Sequence, residues 1–345
     1  MKEVNLNDLT LYLAEGSVAR EKISDELYFS PAYKQFTSNS KLRNINPEQG
    51  GSPKSYFEGD FGPKTASLVI GTGVHCAILE PEEFEIAPAL GRPTAKLGDV
   101  IDAIRKYRRK GFRIYDSIVK ACNECDYYVN SVDTKIPMII EKGFKYYWKS
   151  RFIKKNVIVM PDADREKCLA SIKSLKNNRL VQSILHPTDT FGDPIDSFNE
   201  EAFFANYIVT FDGKACIIPF KLKIDNWTID VENKILTLND LKTTGKSVNW
   251  FMNPEYGSMY KYHYSRQFFC YADILKKYCA KEFGFDDTWT FNANVCVVET
   301  FGEFTSKCFR VTNEIMESAR NEFETLMKMI GYYTINGYDE EASFN

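Results

Sequence analysis

The chain has 345 residues, 44% hydrophobic and 26% charged, with 44 basic and 47 acidic side chains balancing to −3. Its 25 Phe and 20 Tyr supply ample core surface, which excludes a disordered chain; the slightly acidic balance excludes a strongly basic nucleic-acid domain but leaves room for a local basic groove. No apolar run approaches the roughly 20 residues that span a bilayer, and nine scattered cysteines behind an N-terminus unlike a signal peptide fit reduced thiols in a cytoplasm.

At roughly 150 residues per domain, the length fits two domains or one elaborated domain. Residues 1–64 read as an N-terminal arm: one or two short helices over 1–30, then a Gly-, Pro-, Ser- and Asn-rich loop from Asn39 to Lys64. Residues 65–345 read as a single domain with a basic helical insertion at about 91–185. Ser67–Leu79 is apolar with small residues at Gly71, Thr72, Gly73 and Ala77, and reads as a helix that Glu80-Pro81 ends. Gly98 to about Asn130 is helical and basic, with Arg105, Arg108 and Arg109; Lys142–Lys155 interleaves Lys145, Lys149 and Arg151 with Tyr147, Trp148 and Phe152. Another helix covers Asp162–Gln182.

After Asp189 the pattern turns to strands over Ala202–Phe211, Ala215–Ile224, Trp227–Val231 and Ile235–Leu241. Asp212-Gly213 is a hairpin signal, and Glu232-Asn233 a second turn. Ser258–Phe283 is helical, Thr290–Glu299 and Lys307–Val311 are strands, and Asn313–Ile330 is a final helix. This order predicts an α/β (α+β) fold with a central mixed β-sheet flanked by helices.

The segment Lys221–Thr244 carries the chemistry. One strand delivers Asp225 to its end; the next delivers Asp240 and Lys242, which share a face because side chains two apart point the same way. Two carboxylates brought together repel unless a cation lies between them, and hard oxygen ligands favour Mg²⁺ or Mn²⁺. Spacing alone favours the blander reading, a strand-end acid and a solvated Asp240–Lys242 pair.

The wider pattern resembles the PD-(D/E)xK nuclease superfamily: Asp225, then Asp240-Leu241-Lys242. Four further features are similar to its exonuclease VIII (RecE-type) and RecB-like phage exonuclease branch. They are Gly71-Thr72-Gly73-Val74-His75, the acid Glu201 opening a strand, Asp240-Leu241-Lys242-Thr243-Thr244, and Gln267-Phe268-Phe269-Cys270-Tyr271. Each alone is weak, and the ordered set over about 200 residues is specific. The resemblance implies a restriction-endonuclease-like core in which His75, Asp225, Asp240 and the Leu241 carbonyl hold metal, Lys242 orients the attacking water, Gln267 and Tyr271 border the site, and Glu201 is an additional acid. The long interval between Asp225 and Asp240, and Lys223-Ile224 before the first acid, depart from the pattern; Asp230 is a rival carboxylate of lower rank.

Each assignment has a plainer competitor. An isolated His75 is more often a core histidine, Gln267 and Tyr271 more often a packed pair on one helix face, and basic runs more often solvated faces. For a nuclease, Arg105, Arg108, Arg109, Lys145, Lys149 and Arg151 are the densest candidates for neutralising phosphates. Thr244-Gly245-Lys246-Ser247 lacks the leading glycine of a phosphate loop, and Cys122-x-x-Cys125 lacks a second metal pair. Cys279, Cys296 and Cys308 are too dispersed for the iron–sulfur cluster of some relatives, so none is expected. The resemblance implies a Mg²⁺-dependent exodeoxyribonuclease, with Mn²⁺ as substitute, that digests linear double-stranded DNA from 5′ to 3′ for phage-type recombination. It also implies a single-strand annealing partner, a trimeric or tetrameric ring and a cytoplasmic location. A structure-selective or single-strand nuclease on the same core, and a non-catalytic DNA-binding relative, are the alternatives.

Overall fold

The computed structural model describes residues 2–59, 66–88, 91, 93, 95–127, 132–150, 157–338 and 342–344. The chain forms two compact units, Met1–Pro81 with Leu169–Asn345, and Glu82–Cys168.

The first unit is built on a seven-stranded sheet. Its strands are β1 (Thr10–Leu13), β2 (Ala19–Glu21), β3 (Asp196–Phe211), β4 (Lys214–Asp230), β5 (Ile235–Thr244), β6 (Thr290–Glu299) and β7 (Ser306–Arg310). Across the sheet the order is β7-β6-β5-β4-β3, with β1 and β2 both antiparallel to the outer edge of β3. All neighbours are antiparallel except β5 and β6, which are parallel. A parallel pair needs a crossover, and the chain between them contains a 20-residue helix, Tyr264–Phe283.

The fold class is therefore as expected, a mixed sheet flanked by helices, but the N-terminus differs. Residues 1–30 carry strands β1 and β2 where short helices are expected, followed by one helical turn, α1 (Asp25–Tyr28). Runs as short as Leu9–Leu13 are ambiguous by periodicity, and pairing with β3 decides them. The Asn39–Lys64 segment holds two short helices, Asn39–Leu42 and Pro53–Glu58.

The helices of seven residues or more, in chain order, are α2 (Ala66–Leu79), α3 (Ala95–Arg109), α4 (Ile114–Glu124), α5 (Val132–Ser150), α6 (Asp162–Asn177), α7 (Arg179–Leu185), α8 (Tyr264–Phe283) and α9 (Arg320–Asn336). In the first unit, α8 and α9 cover one sheet face, where Phe268, Leu275, Phe323 and Leu326 pack with Phe203, Phe220 and Leu238. On the opposite face α7 docks through its last carbonyls, which accept hydrogen bonds from Asn226 and Asn239. Helices α3, α4 and α5 make the second unit, around Ile101, Ile104, Ile118, Cys122 and Ile139. Among the described residues, no helix is long and apolar enough to cross a membrane.

Two backbone features place the site. Asp212 and Gly213 have φ of 49° and 70°, the pair of positive values a tight two-residue hairpin needs, and they lock the β3–β4 register from Phe211–Lys214 onward. Along β4 the core-facing residues are Ile218, Phe220, Leu222 and Ile224, then Trp227 and Ile229, so the inward parity changes across Asp225-Asn226. Opposite this break, Glu200 of β3 has φ 54°. A strand that turned inward side chains outward without such a break would bury charge and expose its apolar set.

Candidate active site

The sheet forks where the acids stand. Strands β4 and β5 pair only from Asp230–Ile235 to Asn226–Asn239. Beyond that last pair β4 stays with β3, while β5 continues beside β6 to Thr244–Glu299. Asp225 and Asp240 are the first residues on the two arms, and the Leu241 N–H donates to Asp225 Oδ2 at 2.7 Å across the gap.

Helix α2 delivers His75 to the β4 arm. Its Nδ1 lies 3.5 Å from Asp225 Oδ2 and 3.9 Å from Glu200 Oε1. One turn earlier Gly71 lets α2 sit close to β5, since a Cβ there would meet Thr243 Oγ1 at 3.3 Å. Ligand atoms of His75, Glu200 and Asp225 all lie within 4.8 Å of one another. Behind them Lys223 Nζ bridges Glu200, at 2.7 Å, and Asp25 of α1, at 2.6 Å.

Helix α8 closes the β5 arm. Asp240 is 2% exposed; its Oδ1 accepts from Gln267 Nε2 at 2.6 Å, and its Oδ2 lies 2.5 Å from Lys242 Nζ. The Lys242 ammonium also stands 5.1 Å from the Tyr264 ring centroid. Tyr271, one helical turn past Gln267, packs against the core, and burial holds its hydroxyl well above the ordinary phenol value.

The charges interact strongly. Burial pushes the Asp240 carboxyl up to about 6 against the pull of Lys242, and the Asp225 charge adds to the push. Burial works against the Lys242 ammonium, but Asp240 and Asp225 outweigh it and hold it far above the ordinary lysine value. At His75 burial likewise opposes the charged ring, and Asp225 and Glu200 overcome it, raising its pKa. Glu200 shows the converse: His75 and Lys223 overcome burial and hold the carboxyl down.

The structure thus brings together His75, Asp225, Asp240, Lys242 and Gln267, with Tyr271 close behind. Glu201 is not with them and requires correction. It lies on the opposite side of β3, ion-paired to Arg20, whose guanidinium stacks 4.1 Å from the Phe198 ring centroid and 5.1 Å from that of Trp227. Its neighbour Glu200 faces the site. The signal was available: counting back from the Asp212-Gly213 turn, the hairpin sets Glu200 opposite Asp225. Lys223, Asp25 and Tyr264 carry no such signal, because only the packing of β4, α1 and α8 brings them near. Asp230 caps the next turn, accepting from the Asn233 backbone and side chain.

In the second unit Arg105, Arg108 and Arg109 line a shallow cavity of about 170 Å³ with Tyr147, and Lys145 is exposed on α5. Arg151 and the side chain of Lys149 lie outside the described residues.

The imidazole of His75 and the carboxylates of Glu200 and Asp225 form a converging hard-oxygen set with one borderline nitrogen, a donor set that fits Mg²⁺ or Mn²⁺, and Asp240 stands across the fork. No family model and no curated protein matches the chain. Among solved structures, a Eubacterium rectale protein named "Putative exonuclease" aligns over 93% of this chain and 89% of its own, at 12% identity and a TM-score of 0.46. Protein VC1899 of Vibrio cholerae aligns over 81% of this chain and 58% of its own, at 11% identity and a TM-score of 0.15.

Proposed function

We propose that the protein is a metal-dependent phosphodiester hydrolase acting on DNA. The observation that carries this reading is the sheet fork, where His75, Glu200 and Asp225 converge within 4.8 Å on one arm and the Asp240–Lys242 pair stands on the other. His75, Glu200, Asp225, Asp240 and the Leu241 carbonyl would hold the ion. A bound Mg²⁺ or Mn²⁺ would supply a lowered pKa for a water and neutralise charge on the phosphoryl group. Lys242, held charged by its carboxylate neighbours, would orient the attacking water, and Gln267 keeps Asp240 aimed at the fork.

The resemblance in its motifs refines this to an exodeoxyribonuclease that degrades linear duplex DNA 5′ to 3′ and leaves 3′ single strands for an annealing protein in a host cytoplasm. The basic side chains on α3 and α5 would neutralise backbone phosphates. A single subunit of net charge −3 would hold duplex weakly. A ring of three or four copies would gather several basic stretches around one channel by cyclic symmetry alone.

The deciding experiment incubates purified protein with end-labelled linear duplex and with a covalently closed circle, in Mg²⁺ and in EDTA. Exonuclease action releases label only from the linear DNA and only in Mg²⁺. Cutting of the closed circle would identify an endonuclease, and inertness on both in Mg²⁺ and Mn²⁺ would overturn the enzyme reading.

A further inference from the structure

One row of side chains behind the acids is unusual for a sheet interior. Asn199 of β3, Asn226 of β4, Asn239 of β5 and Asn294 of β6 are direct partners in register across four adjacent strands. Their amides form one continuous chain: Asn294 Nδ2 donates to Asn239 Oδ1 at 2.9 Å, Asn239 Nδ2 to Asn226 Oδ1 at 2.7 Å, and Asn226 Nδ2 to Asn199 Oδ1 at 2.7 Å. Asn226 and Asn239 are wholly buried. Asparagine is disfavoured in strands, and buried amides are costly unless every one is matched, so apolar residues would build these rungs more cheaply.

The row also caps α7, whose Ile184 and Leu185 carbonyls accept from Asn239 and Asn226. Capping accounts for two of the four residues. What Asn199, Asn226 and Asn239 share is their place in the chain: Asn199 precedes Glu200, Asn226 follows Asp225, and Asn239 precedes Asp240. The amide row therefore runs one residue behind the carboxylate row. It crosses the sheet at the last rung before β4 and β5 part.

Past Asn226–Asn239 no strand pairing joins β4 to β5, and the Leu241 N–H bond to Asp225 crosses the gap between the two acids, so the last paired rung sets how far apart the arms begin. We infer that the Asn199–Asn226–Asn239–Asn294 row is a positioning element that clamps the base of the fork and sets the spacing of the Glu200, Asp225 and Asp240 carboxylates for a divalent cation. This rests on the metal-site reading above. The four asparagines act through their neighbours and touch neither ion nor substrate.

The test compares Mn²⁺ binding by titration calorimetry in the wild type, Asn239→Ala, Asn294→Ala and, as a control, Asn292→Ala. Asn292 lies on the same strand face but outside the row, bonded to Arg310. Thermal scans run alongside, to confirm that each variant is folded at the binding temperature. Asn239→Ala is expected to weaken Mn²⁺ binding at least tenfold and Asn294→Ala by a smaller factor, with Asn292→Ala unchanged. Cleavage by Asn239→Ala should recover at high Mn²⁺ with KM for DNA unaltered. A row that merely tied α7 to the sheet would lower the melting temperature of both row variants and leave their Mn²⁺ affinity at the wild-type value, which overturns the inference. Should Asn239→Ala fail to fold, the half-buried outer rung Asn294→Ala carries the same readout. Wild-type protein that takes up no Mn²⁺ would overturn the metal reading together with this one, whereas wild-type uptake with unaltered row variants overturns this one alone.

Discussion

Glu200 and Glu201 are adjacent carboxylates with opposite roles, and substitution separates them. Glu200→Gln removes a charge from the His75–Asp225 cluster and the partner of Lys223, so it should weaken Mn²⁺ binding as well as costing stability. Glu201→Gln should cost stability alone. It replaces the partner of a part-buried Arg20, at a cost of about 1–3 kcal/mol in denaturant unfolding, with metal affinity intact. Equal effects of the two on metal binding would contradict their opposite facing. Asp240 makes a pH prediction whose sign follows from burial. Its folded pKa is raised, so the stability it contributes is full below the ordinary 3.8 and is lost as pH rises through about 6. Asp240→Asn mimics the protonated carboxyl. In EDTA its melting temperature relative to wild type should therefore climb across that window; a difference constant with pH would refute the raised value.

At the scale of elements, the site depends on how closely helices approach the sheet. Gly331 of α9 faces Val209 of β3, and a Cβ there would stand 2.3 Å from a valine methyl. Gly331→Ala must therefore push α9 away and should cost about 1–3 kcal/mol in urea unfolding, as overpacked cores do. Much of this level is legible in the sequence. The Asp212-Gly213 turn, the apolar alternation of β3 and β4, the helix carrying Gln267 and Tyr271, and the small residues that let α2 approach β5 all express local rules. The inward parity change at Asp225-Asn226 is not legible, because alternation is a property of regular strands and the break depends on a left-handed residue, Glu200, in the neighbouring strand. Strands β1 and β2 escape for a related reason: edge strands this short take their identity from the partner they pair with.

For the whole molecule, the residues proposed to hold metal belong to one unit and the arginine cluster on α3 to the other. If that cluster neutralises phosphates, Arg105→Glu, Arg108→Glu and Arg109→Glu together should weaken DNA binding. The slope of log affinity against log salt should fall by roughly 0.9 for each phosphate no longer neutralised, with Mn²⁺ binding unaffected. An unchanged salt slope would remove α3 from the DNA path.

The order of elements after residue 30 and the mixed-sheet class follow from patterns a few residues wide, because turn chemistry and periodicity act locally, whereas His75, Asp225, Asp240, Lys242 and Gln267 stand out only through the resemblance of an ordered set of motifs spread over about 200 residues. Which of two adjacent glutamates faces the site, the tie of Lys223 between Glu200 and Asp25, and the amide row behind the acids belong to the folded molecule. Each depends on residues dozens to nearly two hundred positions apart meeting across a sheet that forks, and that meeting is set by packing.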